Sequence, residues 1–307
     1  AGVRAVLAIT SNKGGVGKTS LATNLAIYLR ALREDLPVAL VGLDDQRVID
    51  RMFALRPPRP GDGNLKHGWA ERCLDRVLQI GEYGVHFVPS PPDVSLLKAR
   101  AEDPHTLRRI LERTAWNGIF VLDTKSDLEA LTRNALQAAD RVLIPVADWA
   151  SLEQAGRSFS LLERARLPLD RAKVVFTLVD RRSRMNGAAG VEPVLRRLEE
   201  EVRRRGWPRY RTTISRSPRV ESLSSGTSKP LSILHHARGT AVHRELHDLA
   251  GELLRDFEAL TTWEPDRGGA AVLWGRRLGA PEPGGHAAAE AGAGRREAEG
   301  NRGEEER

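Results

Sequence analysis

Residues 11–20 read SNKGGVGKTS, a glycine-rich loop with a lysine close to each end. The run VRAVLAIT precedes it with continuous apolar residues, and SLATNLAIYLRAL follows it with apolar residues at helical spacing. This order predicts a strand, a loop and a helix, the context in which a glycine-rich loop cradles phosphate groups. Glycines let the backbone curl so that its N–H groups point at phosphate oxygens beside the positive end of the helix. The stretch therefore predicts nucleotide binding.

The polar side chains of this loop have separate predicted roles. Lys18 is expected to reach the β- and γ-phosphates, and Thr19 to ligate Mg²⁺ at the start of the helix. Lys13 is an additional cation, near the place where the common loop pattern has its first glycine. The predicted nucleotide-binding residues are Gly14, Gly15, Val16, Gly17, Lys18, Thr19 and Ser20.

Beyond the loop, strand-like and helix-like segments alternate. The predicted strands are continuously apolar instead of alternating between apolar and polar residues. They are PVALVGLDD, GVHFVPSPP, GIFVLDT, DRVLIPV and AKVVFTLVD. Continuously apolar strands are typical of a parallel sheet that is buried on both faces. We therefore predict an α/β fold with a doubly wound, mostly parallel sheet and helices on both faces, as in phosphate-loop NTPases.

Two acids follow predicted strands and complete the expected site. Asp44, after the second strand, is placed to orient or deprotonate an attacking water. Asp123, at the end of GIFVLD, is placed to hold the magnesium shell, as in other phosphate-loop enzymes. The alternative interpretation is that these carboxylates only cap helices or solubilise the ends of strands.

Several motifs, in this order, resemble the ParA/MinD group of ATPases (deviant phosphate-loop, SIMIBI), and in particular ParA-like partition proteins. They are KGGVGKTS, LVGLDDQ, FVLDT with LTRNALQAADRVLIPV, FTLVDRRSR and TTISRSPRVESLSSGTSKPL. The resemblance implies hydrolysis of ATP with Mg²⁺, slowly and with stimulation by a partner. It also implies an ATP-bound homodimer in which Lys13 reaches the phosphates held by the other subunit. The residues that it implies are Lys13, Lys18 and Asp44 for catalysis and Thr19 and Asp123 for the metal.

Two segments depart from the family pattern. The usual Asp-x-Asp-Pro-Gln reads GLDDQ at residues 42–46, so Gly42 replaces the first acid. The usual Asp-Thr-Pro-Pro reads DTKS at residues 123–126, so Lys125 adds a cation to the segment that responds to the γ-phosphate. Slow or altered hydrolysis is the expected consequence, whereas ATP binding is less affected.

Late arginines predict a second activity. The chain has a net charge of +7, which suits a polyanionic partner, although a solvated basic surface is the alternative. The resemblance implies DNA binding without sequence preference, and we assign the phosphate contacts to Arg182, Arg216 and Arg219. Few aromatic residues lie among these arginines, so the backbone of double-stranded DNA is a better target than stacked bases.

The rest of the sequence predicts the domain organisation of the chain and its location in the cell. We predict one ParA-like ATPase domain over residues 1–263 and a disordered tail over residues 264–307, which is rich in Gly, Ala, Glu and Arg. No apolar run approaches the length of a membrane helix, so we expect a cytoplasmic protein with no membrane partner. The resemblance implies that it associates with the nucleoid. A single cysteine excludes a paired-cysteine iron–sulfur site within one chain.

The predicted function is partition of a chromosome or plasmid together with a ParB-type partner. Two alternatives stay open at this point. One is a ParA-like ATPase that positions a cargo other than DNA. The other is a nucleotide-gated DNA-binding protein with little hydrolysis, which the replacements at Gly42 and Lys125 favour.

Overall fold

The structure is a computed structural model. It describes residues 5–11, 13–15, 17–44, 47–127, 129–180, 182–187, 190–224 and 229–260. Val16 and the predicted tail at 264–307, with the domain boundary at 263, therefore lie outside the described residues. Among the described helices, none is both long enough and apolar enough to cross a membrane.

The strands of the described chain form one large sheet and one hairpin. The strands are β1 Ala5–Ile9, β2 Val38–Gly42, β3 Gln79–Ile80, β4 His86–Val88, β5 Ile119–Asp123, β6 Arg141–Val146, β7 Ala172–Val179, β8 Arg184–Gly187, β9 Gly190–Pro193 and β10 Arg209–Ser215. The large sheet has eight strands in the order β10-β7-β6-β1-β5-β2-β4-β3, and its pairings are parallel except for β3 with β4. The hairpin is β8 with β9.

Helices connect the parallel strands, as a crossover connection requires. They are α1 Lys18–Leu32, α2 Val48–Phe53, α3 Leu65–Glu71, α4 Thr106–Arg113, α5 Ala130–Ala138, α6 Trp149–Arg164, α7 Val194–Arg204, α8 Pro218–Glu221, α9 Ile233–His236 and α10 Ala241–Glu258. Short 3₁₀ helices lie at Glu82–Gly84, Val94–Arg100 and Leu169–Arg171.

The sheet separates two apolar cores. Alternate residues of β1 face opposite sides: Val6 and Ala8 pack in the layer of α3 to α7, and Leu7 and Ile9 pack in the layer of α1, α2, α9 and α10. Every residue of β1 is buried, which explains why the predicted strands lack an alternating pattern. The doubly wound, mostly parallel α/β fold is confirmed.

The structure adds elements that the sequence analysis does not contain. The segment VEP at residues 191–193 belongs to β9, and α7 begins only at Val194. Pro193 is the N-cap of α7, with extended backbone angles, and its ring nitrogen has no N–H to donate. The edge strand β3 has two residues, too few to give a periodic pattern.

Candidate nucleotide-binding site

The glycine-rich loop connects the end of β1 to the start of α1. Gly15 and Gly17 have φ values of +75° and +79°, in the left-handed region that a side chain disfavours. Gly17 is the N-cap residue of α1, and no side chain caps the helix there. The first N–H groups of α1 are thus available to an anion beside the positive end of the helix. Ser20 lies in this first turn and is half-buried.

Lys18 is the buried cation of the loop, with 7% of its surface exposed. Its Nζ donates a hydrogen bond of 2.5 Å to Ser126 Oγ. Burial lowers the pKa of Lys18, while the nearby carboxylates of Asp123, Asp44 and Asp127 act to raise it. The ammonium therefore lies among acids at the edge of the sheet where the strands end.

Asp123 is the buried acid of the site. It is the last residue of β5, next to β1, and only 2% of it is exposed. Burial raises the pKa of Asp123 to about 7, although a hydrogen bond from Thr19 and the charge of Lys18 oppose the shift. The Asp123 Oδ1 atom has no hydrogen-bond partner among the described residues. A buried oxygen without a partner is costly, and a cation would satisfy it.

The loop and two strand ends enclose a small polar pocket. The Leu43 N–H donates to the Asp123 carbonyl at 2.8 Å, which ties the end of β2 to the end of β5. Asp44, directly after Leu43, is half-buried. The polar side chains that line the pocket are Thr19, Asp44, Arg47, Ser90 and Asp123.

These residues fit a magnesium-bound triphosphate. Thr19 and Asp123 supply oxygen atoms, which are the ligands that Mg²⁺ prefers. When bound, Mg²⁺ would neutralise part of the phosphate charge. Gly14 and Gly15 have no neighbour within 4 Å of an added Cβ, so the loop surface is open. The structure brings together the described residues that the sequence predicts for this site. They are Gly14, Gly15, Gly17, Lys18, Thr19, Ser20, Asp44 and Asp123.

Gly42 stands where the family pattern has an acid, and the side chain of a neighbouring helix lies beside it. A Cβ at this position would lie 3.1 Å from Ile49 Cδ1 and 3.7 Å from Ser90 Oγ. The side chain of Ile49 on α2 therefore fills the space beside the strand end, and a carboxylate would be crowded there.

Lys125 lies near acids of the neighbouring segments. Hydrogen bonds from Ser95 lower the pKa of Asp93, and the charge of Lys125 lowers it further. Lys125 also lowers the pKa of Glu129, after the stronger effect of Lys98. The cation that replaces proline is thus within electrostatic range of two carboxylates.

Lys13 has a different partner from Lys18. Its Nζ forms a 2.5 Å ion pair with Asp148 Oδ2, and the two side chains are 34% and 50% exposed. Asp148 also caps α6, because its other oxygen accepts from the Ser151 N–H at 2.8 Å. The additional lysine is therefore held at the surface, at the start of α6.

The predicted DNA-contacting arginines follow the ends of β7 and β10, which pair with each other. Arg182, Arg216 and Arg219 are all exposed. Arg216 pairs with Glu221 at 2.8 Å, and Arg219 Nη2 donates to the His236 carbonyl at 3.4 Å. Since β7 and β10 belong to the same parallel array as β1, the three arginines lie on the edge of the sheet that bears the phosphate loop.

Sequence reasoning missed Ser126, Arg47 and Asp148. Ser126 and Arg47 carry no local signal of a role in the site. Asp148 does carry one, since Asp148-x-x-Ser151 directly after β6 forms a capping box, but that pattern predicts only a helix start.

Comparison with known proteins agrees with this geometry. A family model described as an AAA domain matches residues 4–156. The chromosome-partitioning ATPase Soj of Thermus thermophilus is 35% identical over 166 residues, which are 53% of this chain and 64% of that protein. The chromosome partitioning protein ParA of Caulobacter vibrioides is 30% identical over 195 residues, which are 59% of this chain and 72% of that protein.

A solved structure has the same fold. A plasmid partition protein from Borrelia burgdorferi bound to AMPPNP superposes with a TM-score of 0.62 at 18% identity, over 82% of this chain and 99% of that one. The geometry of the phosphate loop and of the acids at the strand ends agrees with the similarity to these relatives. The chain belongs to the ParA-like ATPases, a branch of the phosphate-loop enzymes.

Proposed function

We propose that this chain is an ATP-dependent dimerising ATPase that binds DNA without sequence preference and drives chromosome or plasmid partition with a ParB-type partner. The observation that carries the proposal is the position of Lys13. Its ammonium lies near the surface in a partly exposed pair with Asp148, whereas Lys18 is buried beside the acids of the pocket. In this proposal Lys18 serves the nucleotide bound by its own chain, and Lys13 leaves Asp148 to serve the nucleotide of a facing subunit.

The exchange of partners by Lys13 has a small energetic cost. Both side chains are partly exposed, and ion pairs at a protein surface contribute about 0–1 kcal/mol. A triphosphate enclosed between two subunits needs positive charge on both sides, and charge inside such a site acts at low dielectric. ATP in the facing subunit can therefore outcompete Asp148 for the ammonium, which makes the dimer depend on the γ-phosphate.

The first experiment measures dimerisation. Lys13→Ala should bind ATP as one chain but fail to dimerise when sized by light scattering with a non-hydrolysable ATP analogue. Lys66→Ala, at an exposed lysine of α3, is the matched control and should dimerise like the parent chain. A full dimer of Lys13→Ala with the analogue would exclude the role of this lysine across the interface.

The DNA-binding part of the proposal rests on the exposed arginines beside β7 and β10. Arg182→Ala, Arg216→Ala and Arg219→Ala should each weaken binding to arbitrary duplexes and reduce the slope of log affinity against log salt by about 0.9. Arg113→Ala, at an exposed arginine of α4, is the control. Equal DNA retention with ADP and with the ATP analogue would contradict nucleotide gating.

A second candidate is a nucleotide-gated DNA-binding protein with little hydrolysis. Ile49 occupies the space beside Gly42, and Ser126 binds the Lys18 ammonium in place of the family's proline segment. ATP turnover, measured alone, with DNA and with the partner, separates the two candidates. Absence of turnover in all three conditions favours the second one.

The cargo is the remaining alternative. A ParA-like ATPase that positions another cargo would share the ATP-dependent dimer and the DNA matrix. Co-purification of a centromere-binding, ParB-type protein supports partition, and we expect the protein to localise to the cytoplasm on the nucleoid. Capture of a different cargo protein by the ATP-bound dimer would favour the alternative.

A further inference from the structure

A second concave surface lies next to the nucleotide pocket. It is a groove of about 1080 Å³ between α2, the segment that follows it and the end of β4. Apolar side chains form part of its lining, including Leu55, Pro57, Pro58 and Phe87. Leu55 is 61% exposed, so together with the neighbouring prolines it forms an apolar patch beside the arginines.

The groove is also basic. Four arginines line it, together with the two acids Asp50 and Asp62. Each acid is already neutralised: Asp62 accepts from Arg56 through both oxygens, at 2.8 and 3.0 Å, and Asp50 accepts from Arg47 Nε at 3.2 Å. Arg51 forms no ion pair with a described residue and is exposed. The groove therefore presents an excess of positive charge.

One wall of the groove is also a wall of the nucleotide pocket. Arg47 and Ser90 line both cavities. Asp50 joins them, because both of its oxygens accept from the Ser90 N–H at 3.1 Å while Arg47 donates to Oδ2. Arg47 has a φ of +51°, a left-handed conformation that is uncommon for a residue with a side chain. A ligand at this end of the groove would contact residues that also line the nucleotide site.

We propose that this groove docks an acidic segment of a partner protein, whose apolar side chains pack on Leu55 and the prolines and whose carboxylates pair with Arg51 and Arg59. The positive charge of the groove favours a segment with carboxylates, because the charges are complementary. The exposed Leu55 favours a segment that also carries apolar residues. A DNA backbone offers phosphates but would leave Leu55 uncovered.

Binding of short dye-labelled peptides to the full chain tests the proposal. A peptide of glutamate and leucine should bind, whereas its lysine–leucine and glutamate–serine counterparts should not. Arg51→Glu and Leu55→Ser should each weaken binding of the first peptide at least about tenfold. Both side chains are exposed, so these variants keep the fold. Arg157→Glu, at an exposed arginine of α6, is the charge-matched control and should bind as the parent does.

Three results would overturn the docking site. An equal loss in Arg157→Glu would mean that only the overall charge attracts the peptide. Unchanged affinity in Leu55→Ser would mean that the groove binds anions without an apolar contact. Complete displacement of the peptide by duplex DNA would identify the arginines as a phosphate-binding surface.

The shared wall gives a second measurement. The peptide should bind with different affinity to the ADP-loaded and ATP-analogue-loaded chains, and Asp50→Asn should reduce this difference, since the amide weakens the bonds to Arg47 and Ser90. Equal affinities in both nucleotide states of the parent chain would refute communication through the wall. This inference does not depend on DNA binding or on partition.

Discussion

The two lysines of the phosphate loop differ because their surroundings differ. Lys18 is buried and donates to Ser126, whereas Lys13 is only half-buried and pairs with Asp148. Both contacts occupy an ammonium that the proposed mechanism needs elsewhere. At the scale of single residues, we therefore expect Ser126 and Asp148 to compete with the nucleotide phosphates.

Removal of the Ser126 hydroxyl should strengthen nucleotide binding. In Ser126→Ala, Lys18 loses a neutral acceptor that competes with phosphate, and one hydrogen bond contributes about 0.5–1.5 kcal/mol. We expect calorimetric titration with an ATP analogue to give an affinity about two- to tenfold higher than that of the parent. Ser160→Ala, at an exposed position of α6, should change nothing. A lower affinity in Ser126→Ala would mean that the hydroxyl itself contacts the nucleotide.

Weakening of the Asp148 contact should favour the dimer. Asparagine is as good an N-cap as aspartate, so Asp148→Asn keeps the start of α6 but releases Lys13. Half-maximal dimerisation should then require less ATP analogue, by a factor of up to about five for an exposed ion pair. Asp170→Asn, at an exposed aspartate outside the site, is the control. An unchanged midpoint in sizing experiments would show that Asp148 does not restrain Lys13.

At the scale of elements, close backbone contacts position the strands that carry the site. Gly118 directly precedes β5, and the neighbouring Ile119 N–H donates to the Pro37 carbonyl at 2.9 Å. A Cβ at Gly118 would lie 2.2 Å from that carbonyl oxygen. Because β5 carries Asp123, this contact also sets where the buried carboxylate lies.

Gly118→Ala should therefore destabilise the fold. The clash involves backbone atoms that cannot rotate away, so we expect the free energy of unfolding to fall by at least about 1–3 kcal/mol in urea titrations followed by circular dichroism. Gly239→Ala is the matched control, since an added Cβ there has no neighbour within 4 Å and φ is not left-handed. Equal midpoints for the two variants would show that β5 shifts without cost.

At the scale of the whole molecule, an ion-pair cluster ties the sheet to the last helix. Asp256 of α10 lies 3.1 Å from Arg141 of β6 and 2.8 Å from Lys173 of β7, and it accepts from the Tyr210 hydroxyl of β10 at 2.8 Å. The carboxylate is 11% exposed. Burial acts to raise the pKa of Asp256, but the bonds from Lys173 and Tyr210 outweigh it and the pKa is lowered.

The lowered pKa gives a pH dependence of defined sign. The folded state favours ionised Asp256, so its contribution is present above the ordinary pKa of 3.8 and is lost as pH falls through the lower folded value. Asp256→Asn should reduce the free energy of unfolding by about 3 kcal/mol at neutral pH, because it leaves buried partners uncompensated. The acid limb of the stability curve should become shallower. Asp248→Asn, 70% exposed on the same helix, is the control. A pH-independent difference between parent and Asp256→Asn would contradict the assignment.

Local sequence patterns were sufficient to predict the fold and the main residues of the candidate site. The glycines of residues 14–17, the continuously apolar strands and the acids at strand ends predicted the fold, the phosphate loop and the grouping of Lys18, Thr19 and Asp123. These features could be predicted because parallel strands end at one edge of a sheet. The hairpin of β8 and β9 and the edge strand β3 were missed, because strands of two to four residues have too little periodicity to stand out.

The sequence by itself determined the family, the doubly wound sheet and the place of the nucleotide, since each depends on backbone freedom and apolar spacing within short segments. Only the tertiary structure decided that Lys13 meets Asp148 and that Lys18 meets Ser126, across separations of 135 and 108 residues. It also decided that Arg47, Asp50 and Ser90 form one wall between two cavities. Such contacts depend on which strands become neighbours and on how far each loop extends, and no local pattern records either.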